Sequence, residues 1–270
     1  MPELPEVETC KRGLAQHLPG SRVTKAIIRQ PKLRYPVTPQ LRANLVGSYF
    51  TDISRRAKYL LLHTDKGDVI VHLGMSGSLH LLTHSQKHGP HDHVDIHLED
   101  GRVLRYTDPR RFGAWLWCET ALEHPLLNAL GPEPFSTKFN AAYLYAQLQK
   151  RRSAIKIALM NSHIVVGVGN IYASETLFRA HISPLRAASS LNLQECEALV
   201  KSTQTVLQSA IDSGGTTLKD FVDSSGKPGY YKQKLLVYGR EDTPCIDCQT
   251  PLTAISLGGR STFYCSMCQK

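Results

Sequence analysis

Four cysteines near the end of the chain have the spacing of a metal site. They are Cys245-x2-Cys248 and Cys265-x2-Cys268, with residues 249–264 between the pairs. Zinc prefers four soft ligands in a tetrahedron, and two such knuckles on a hairpin supply four thiolates from a short segment. With every position filled by protein, the site is expected to be closed and structural. A module with so little core would draw much of its folding energy from the ion. A redox CxxC pair would not need the second knuckle. Zinc alone does not specify a nucleic acid, because ribbons of this kind also serve protein contacts.

Two other groupings could do chemistry. Gly167-Val168-Gly169-Asn170 precedes a helical pattern, so backbone N–H groups and a helix start could hold a phosphate, although a lone GxG is weak evidence. Seven of the twelve histidines fall between His72 and His97, but their spacing follows strands and loops rather than metal knuckles. Solvated or phosphate-facing imidazoles are the better expectation there.

The whole chain is basic, with net charge +9 and a pI near 9.2. Residues 1–130 hold 17 Lys/Arg against 13 Asp/Glu, and residues 131–270 hold 15 against 10, so the halves carry +4 and +5. A basic balance spread over both halves suits a polyanion, since each phosphate neutralised releases counterions. It equally suits a solvated basic surface. No stretch approaches the ~20 apolar residues that span a bilayer. The start, with Glu3, Glu6 and Glu8, lacks the apolar run of a signal peptide, and the odd count of seven cysteines argues against a disulfide framework. A cytoplasmic, monomeric protein with no membrane partner is expected.

These groups need elements to hold them. Pro5 suits a first helical turn, Glu6 and Glu8 complement the dipole, and Val7, Leu14 and Leu18 form an apolar stripe that Pro19-Gly20 ends. Residues 22–117 read mostly as strands. Val94, Ile96 and Leu98 alternate up to Asp100-Gly101, and 103–106 returns; the runs 59–64 and 69–73 flank 65–68 in the same way. After Gly131-Pro132-Glu133-Pro134 the pattern turns helical, over 139–150, 154–161, 170–180 and 192–212. Asn192 and Glu195 form a capping signal for the last of these. The fold class expected is α+β, with an N-terminal β-sandwich and leading helix over 1–131, a linker at 132–134 and a helical domain over 135–270. The last domain includes a cysteine-bearing finger over 240–270.

Five segments together resemble the formamidopyrimidine-DNA glycosylase family of bacterial repair enzymes. They are Met1-Pro2-Glu3-Leu4-Pro5-Glu6-Val7-Glu8-Thr9, His72-Leu73-Gly74-Met75-Ser76-Gly77, Asp108-Pro109-Arg110-Arg111-Phe112-Gly113, Gly167-Val168-Gly169-Asn170-Ile171-Tyr172-Ala173 and Gly259-Arg260-Ser261-Thr262. They occur in the family's order and spacing. The resemblance implies a bifunctional glycosylase and AP lyase that excises oxidised purines (8-oxoguanine, formamidopyrimidines) from double-stranded DNA, and that also acts at abasic sites. It implies one structural zinc on Cys245, Cys248, Cys265 and Cys268, and a helix–two-turn–helix element around Asn170.

It also implies roles for single residues. Removal of Met1 would leave Pro2 as a secondary amine, and an α-amine titrates near pH ~8, so part of it is neutral and nucleophilic where a lysine is not. That amine would attack C1′, with Glu3 as general acid on the sugar ring oxygen. Lys58 would hold a phosphate and assist β-elimination, and Arg260, between the cysteine pairs, would assist δ-elimination. Met75, Arg110 and Phe112 would fill the space of the extruded base, while His91, Arg151 and Asn170 would contact the DNA backbone. Residues 216–231 would form a loop over the flipped base. Gln249 departs from the family, which often has Gly there. The nearest alternative is an endonuclease VIII-like enzyme for oxidised pyrimidines, and another is a non-catalytic zinc-finger DNA-binding protein.

Overall fold

The computed structural model describes residues 2–215 and 231–270, so all but the last residue of the proposed 216–231 loop lies outside the described residues. The chain divides into two compact units, one of Met1–Asn128 with Ser213–Lys232 and one of Ala129–Asp212 with Gln233–Lys270.

The first unit opens with helix α1 (Leu4–Ala15), strand β1 (Val23–Ile28) and helix α2 (Pro39–Leu45). Seven strands follow: β2 (Phe50–Arg56), β3 (Tyr59–Thr64), β4 (Gly67–His72), β5 (Ser78–Leu82), β6 (Asp92–Leu98), β7 (Val103–Thr107) and β8 (Ala114–Cys118). They form two antiparallel four-stranded sheets, ordered β1-β6-β7-β5 and β2-β3-β4-β8. Val94, Ile96 and Leu104 of one sheet share a core with Leu60, Leu62, Val69 and Val71 of the other. Tyr106 meets Trp115 edge-on across that core at 5.7 Å between ring centroids. The sandwich expected from the alternating strands is therefore formed.

The run Leu60-Leu61-Leu62 does not alternate, and the reason is burial on both faces. Outside β4, the turn Ala121–Glu123 covers the sheet, where the Ala121 N–H donates to Asp68 Oδ2 (2.6 Å). Val7, Leu14 and Leu18 are buried as the apolar stripe required. At the head of α1 Glu3 and Glu6 form a capping box, the Glu6 carboxylate accepting the Glu3 N–H at 2.9 Å. Helix α2 was hidden within a region that reads as strands. Its single buried pair, Leu41 and Leu45, is too short a pattern to show helical periodicity, and only Pro39 at its first turn signals it. A short helix, α3 (Pro125–Asn128), ends this part of the chain.

The second unit is helical, with α4 (Ala141–Leu148), α5 (Ile155–Leu159), α6 (Asn170–Arg179) and α7 (Leu193–Asp212), each within about two residues of the expected limits. The cap of α7 is reciprocal: Asn192 Oδ1 accepts the Glu195 N–H (2.9 Å) and Glu195 Oε2 accepts the Asn192 N–H (2.8 Å). The unit ends in the two-stranded hairpin β9 (Thr253–Leu257) and β10 (Arg260–Tyr264). Among the described residues no helix is long and apolar enough to cross a membrane.

Candidate active site and nucleic-acid interface

In the first unit Pro2 and Glu3 are buried at the N-terminal end of α1. One turn later Glu8 accepts from Arg55 Nε on β2 (2.9 Å), and Arg55 Nη1 donates to the Ala57 carbonyl (2.8 Å). Burial pushes the Glu8 carboxyl up, but Arg55 and Lys11 outweigh it and leave the group below its ordinary value. Helix α1 is thereby tied to the two-residue turn Ala57-Lys58 between β2 and β3. Ala57 has φ +56°, so this turn sits in the left-handed region, and Lys58 stands half-buried at its end.

From Lys58 the contacts run to the loop carrying Met75. Tyr59 packs on His72 across β3 and β4 at 4.9 Å. Burial, with the Lys58 and Arg34 cations, pushes the His72 imidazole down to about 4, against the pull of Asp108. The ring is therefore neutral at pH 7, and its Nδ1 accepts the Gly74 N–H at 2.9 Å, fixing the start of the loop. Met75 projects from this loop 38% exposed, and Phe112 from the β7–β8 connection 45% exposed. Large apolar side chains so open are not core. The Arg110 guanidinium lies over the Phe112 ring, 4.9 Å from its centroid. His91 is exposed beside them, its carbonyl accepting the Asp108 N–H (2.9 Å). The first unit thus links the turn of Lys58 to the Met75 loop through Tyr59 and His72, and sets Arg110 on Phe112.

The second unit carries the rest. Asn170 is the first residue of α6, after Gly167 with φ +85°; Arg151 follows α4, its Nε donating to the Gln147 carbonyl (3.2 Å). Arg260 is exposed at the start of β10, opposite Leu257, just past the turn Gly258-Gly259. Both glycines have positive φ (+59° and +71°), the geometry of a type I′ hairpin.

Lys156 was not singled out by the sequence, yet it joins these parts. Fully buried in α5, its Nζ donates to Asn170 Oδ1 (2.6 Å), to Thr262 Oγ1 (2.6 Å) and to the Ser261 carbonyl (3.1 Å). Asn170 Nδ2 also donates to that carbonyl (2.9 Å). Asn170 and the strand of Arg260 are therefore held as one piece. The available signal was a lone cation inside the apolar stretch Ile155–Leu159. Glu175 was missed as well: its buried carboxylate accepts the N–H groups of Leu236, Val237 and Tyr238 at 2.9, 3.0 and 2.8 Å. Burial raises its carboxyl despite those three donors.

The four cysteine sulfurs lie within 4.8 Å of one another, with Cys245–Cys268 at 3.9 Å and Cys248–Cys265 at 3.5 Å. A tetrahedral zinc with ~2.3 Å bonds needs sulfurs about 3.8 Å apart, so this donor set fits such an ion. Among the described residues no other group of three or more His, Cys, Asp or Glu converges in this way. The histidine-rich stretch accordingly does not gather a ligand set. Gln249, in the first knuckle, has φ +63° and keeps its N–H on the Cys245 carbonyl (3.0 Å).

Residues 1–115 match the family model of the formamidopyrimidine-DNA glycosylase N-terminal domain, and residues 130–222 match that of the H2TH domain of the same family. The chain belongs to the formamidopyrimidine-DNA glycosylase family. The formamidopyrimidine-DNA glycosylase of Hydrogenovibrio crunogenus is 54% identical over 271 residues, covering all of this chain and 97% of that protein. A Lactococcus lactis Fpg variant in complex with Fapy-dG containing DNA superposes with TM-score 0.93 at 33% identity, covering 100% of both chains. The complex of the Lactococcus lactis Fpg with abasic-site DNA gives 0.91 at 33% identity and 99% of both. As a member of this family the chain is a DNA glycosylase acting on damaged bases, with a four-cysteine cluster able to bind a metal ion.

Proposed function

We propose that this glycosylase excises oxidised purines, 8-oxoguanine and formamidopyrimidines, from duplex DNA and then cleaves the strand as an AP lyase. The observation that carries the reading is the buried Pro2-Glu3 pair at the head of α1, in a chain of this family. With Met1 removed, the Pro2 nitrogen attacks C1′ of the damaged nucleotide. Glu3 protonates the ring oxygen, the base leaves, and the opened sugar is held as an iminium ion. The iminium acidifies the neighbouring sugar protons. Loss of the 3′ and then the 5′ phosphate oxygens leaves a one-nucleotide gap. Lys58 holds the phosphate beside the lesion and serves the first elimination, and Arg260 serves the second. A bidentate guanidinium suits that anionic leaving group.

Met75, Arg110 and Phe112 occupy the space of the extruded base, and His91, Arg151 and Asn170 hold the DNA backbone. The exposure of Met75, Phe112, Arg110 and His91, and the cation stacked on Phe112, support this assignment. One structural zinc on the four cysteines supplies folding energy to the hairpin of Arg260. In this reading residues 1–131 are the catalytic domain and 135–270 the DNA-binding domain.

Borohydride reduction during turnover of an 8-oxoguanine duplex tests the chemistry. The expected product is a covalent protein–DNA adduct mapping to the N-terminal peptide, formed faster than on an oxidised-pyrimidine duplex. An adduct at Lys58 would overturn the nucleophile, and faster trapping on the pyrimidine would overturn the substrate class.

A further inference from the structure

Asp108 is fully buried, yet its carboxylate has no catalytic or DNA-binding role in the reading above. Oδ1 accepts the Ser76 hydroxyl (3.1 Å) and the Arg110 N–H (3.3 Å), while Oδ2 accepts the Gly113 N–H (2.9 Å) and the Tyr106 hydroxyl (3.0 Å). Ser76 follows Met75 in one loop, whereas Arg110 and Gly113 bracket Phe112 in the other. A single carboxylate oxygen therefore bridges the two loops that carry exposed apolar tips, and its partner anchors the second loop to the core through Tyr106.

The backbone adds to this fastening. A Cβ on Gly74 would lie 2.5 Å from both the Phe112 carbonyl carbon and the Gly113 nitrogen, so the loops touch main chain to main chain where no side chain fits. The Asp108 carbonyl accepts from His93 Nε2 (2.8 Å) and from the Arg111 N–H (3.2 Å). The residue is fixed on both its side chain and its main chain.

We propose that Asp108 is a positioning residue that couples the Met75 loop to the Arg110–Phe112 loop, so that the three side chains enter the vacated base space as one rigid piece. This rests on the assignment of those three residues to base extrusion. Four donors converge on the group, and only an ionised carboxylate has acceptor sites for all of them. An asparagine of the same size turns an NH2 toward two of them. Asp108→Asn should therefore loosen the pair of loops while leaving the exposed tips themselves unchanged.

The test measures binding of 8-oxoguanine and abasic duplexes by wild type, Met75→Ala, Phe112→Ala and the double variant, each with and without Asp108→Asn. Side chains acting as one piece give a non-additive cycle, the double variant losing clearly less than the product of the single losses. In the Asp108→Asn background the losses should become multiplicative. Asp108→Asn alone should weaken 8-oxoguanine binding roughly tenfold and abasic binding several-fold less, since extrusion costs less where the base is gone. Survival of the non-additivity in Asp108→Asn, or equal losses on both duplexes, overturns the positioning role. Equal losses for Phe112→Ala on both duplexes would instead overturn the extrusion assignment itself. Should Asp108→Asn not fold, Ser76→Ala removes one bridging bond and carries the same cycle. Unchanged coupling there is the overturning result.

Discussion

Lys58 and Arg260 each stand at the end of an antiparallel hairpin, one in each unit, and the two hairpins are stiffened by different means. The β2–β3 hairpin forms one edge of a four-stranded sheet over a core of Leu60, Leu62, Val69 and Val71. It tolerates a non-glycine residue at φ +56° in its turn, pinned by Arg55 on the Ala57 carbonyl. The β9–β10 hairpin has only two strands and a small apolar cluster of Phe178, Val237, Leu252, Cys245 and Cys265. Its turn is two glycines, and four cysteine sulfurs cluster at its ends within 4.8 Å of one another. The first hairpin is stiffened by burial; the second has glycines at its tip, and an ion on the four cysteines would supply what its small core does not.

The largest effect should come from removing the zinc proposed for those cysteines. Cys265→Ser, or chelation of the wild type, should release the zinc and weaken DNA binding at least about tenfold, since structural zinc contributes on the order of 10 kcal/mol to such modules. Thermal unfolding of the sandwich, which gathers no such ligand cluster among the described residues, should stay in place. Complete zinc loss with unchanged affinity would break the comparison.

A smaller effect belongs to the Lys58 side. His72 is held neutral, with its folded value near 4 against an ordinary 6.5. The unfolded chain therefore takes up a proton first as pH falls. The stability this residue contributes is complete above about pH 6.5, declines from there and levels off below 4, a total of roughly 1–3 kcal/mol. Denaturant titrations of wild type and His72→Asn across that window should show stability falling more steeply with acid in wild type. NMR titration should show His72 moving upward in Lys58→Met. A His72 that titrates near 6.5 in the folded protein would remove this contribution.

The smallest effect sharpens the contrast directly. Gln249 is exposed at φ +63° in the cysteine knuckle, while Ala57 at φ +56° is buried. Gln249→Gly relieves left-handed strain at little cost and should slow zinc release to a chelator by about 2–5-fold. Ala57→Gly loses a buried methyl worth about 0.8 kcal/mol, which offsets the same relief, so unfolding stability should hardly change. Equal responses at the two sites would mean that burial does not decide which turn can bear strain.

The sequence alone determined what depends on short spacing. The cysteine knuckles, the α1 stripe, the capping pair at α7 and the paired strands follow from residue types a few positions apart, because helix period, strand period and turn chemistry are local. Helix α2 escaped since a seven-residue element buries only two leucines. The tertiary structure decided the fate of the buried polar groups. Asp108 meets Ser76 from 32 positions away, Glu175 meets the 236–238 backbone from 61 to 63, and Lys156 meets Thr262 from 106. A charged side chain leaves water only where partners replace its hydration, and those partners are brought together by folding rather than by neighbourhood in the chain.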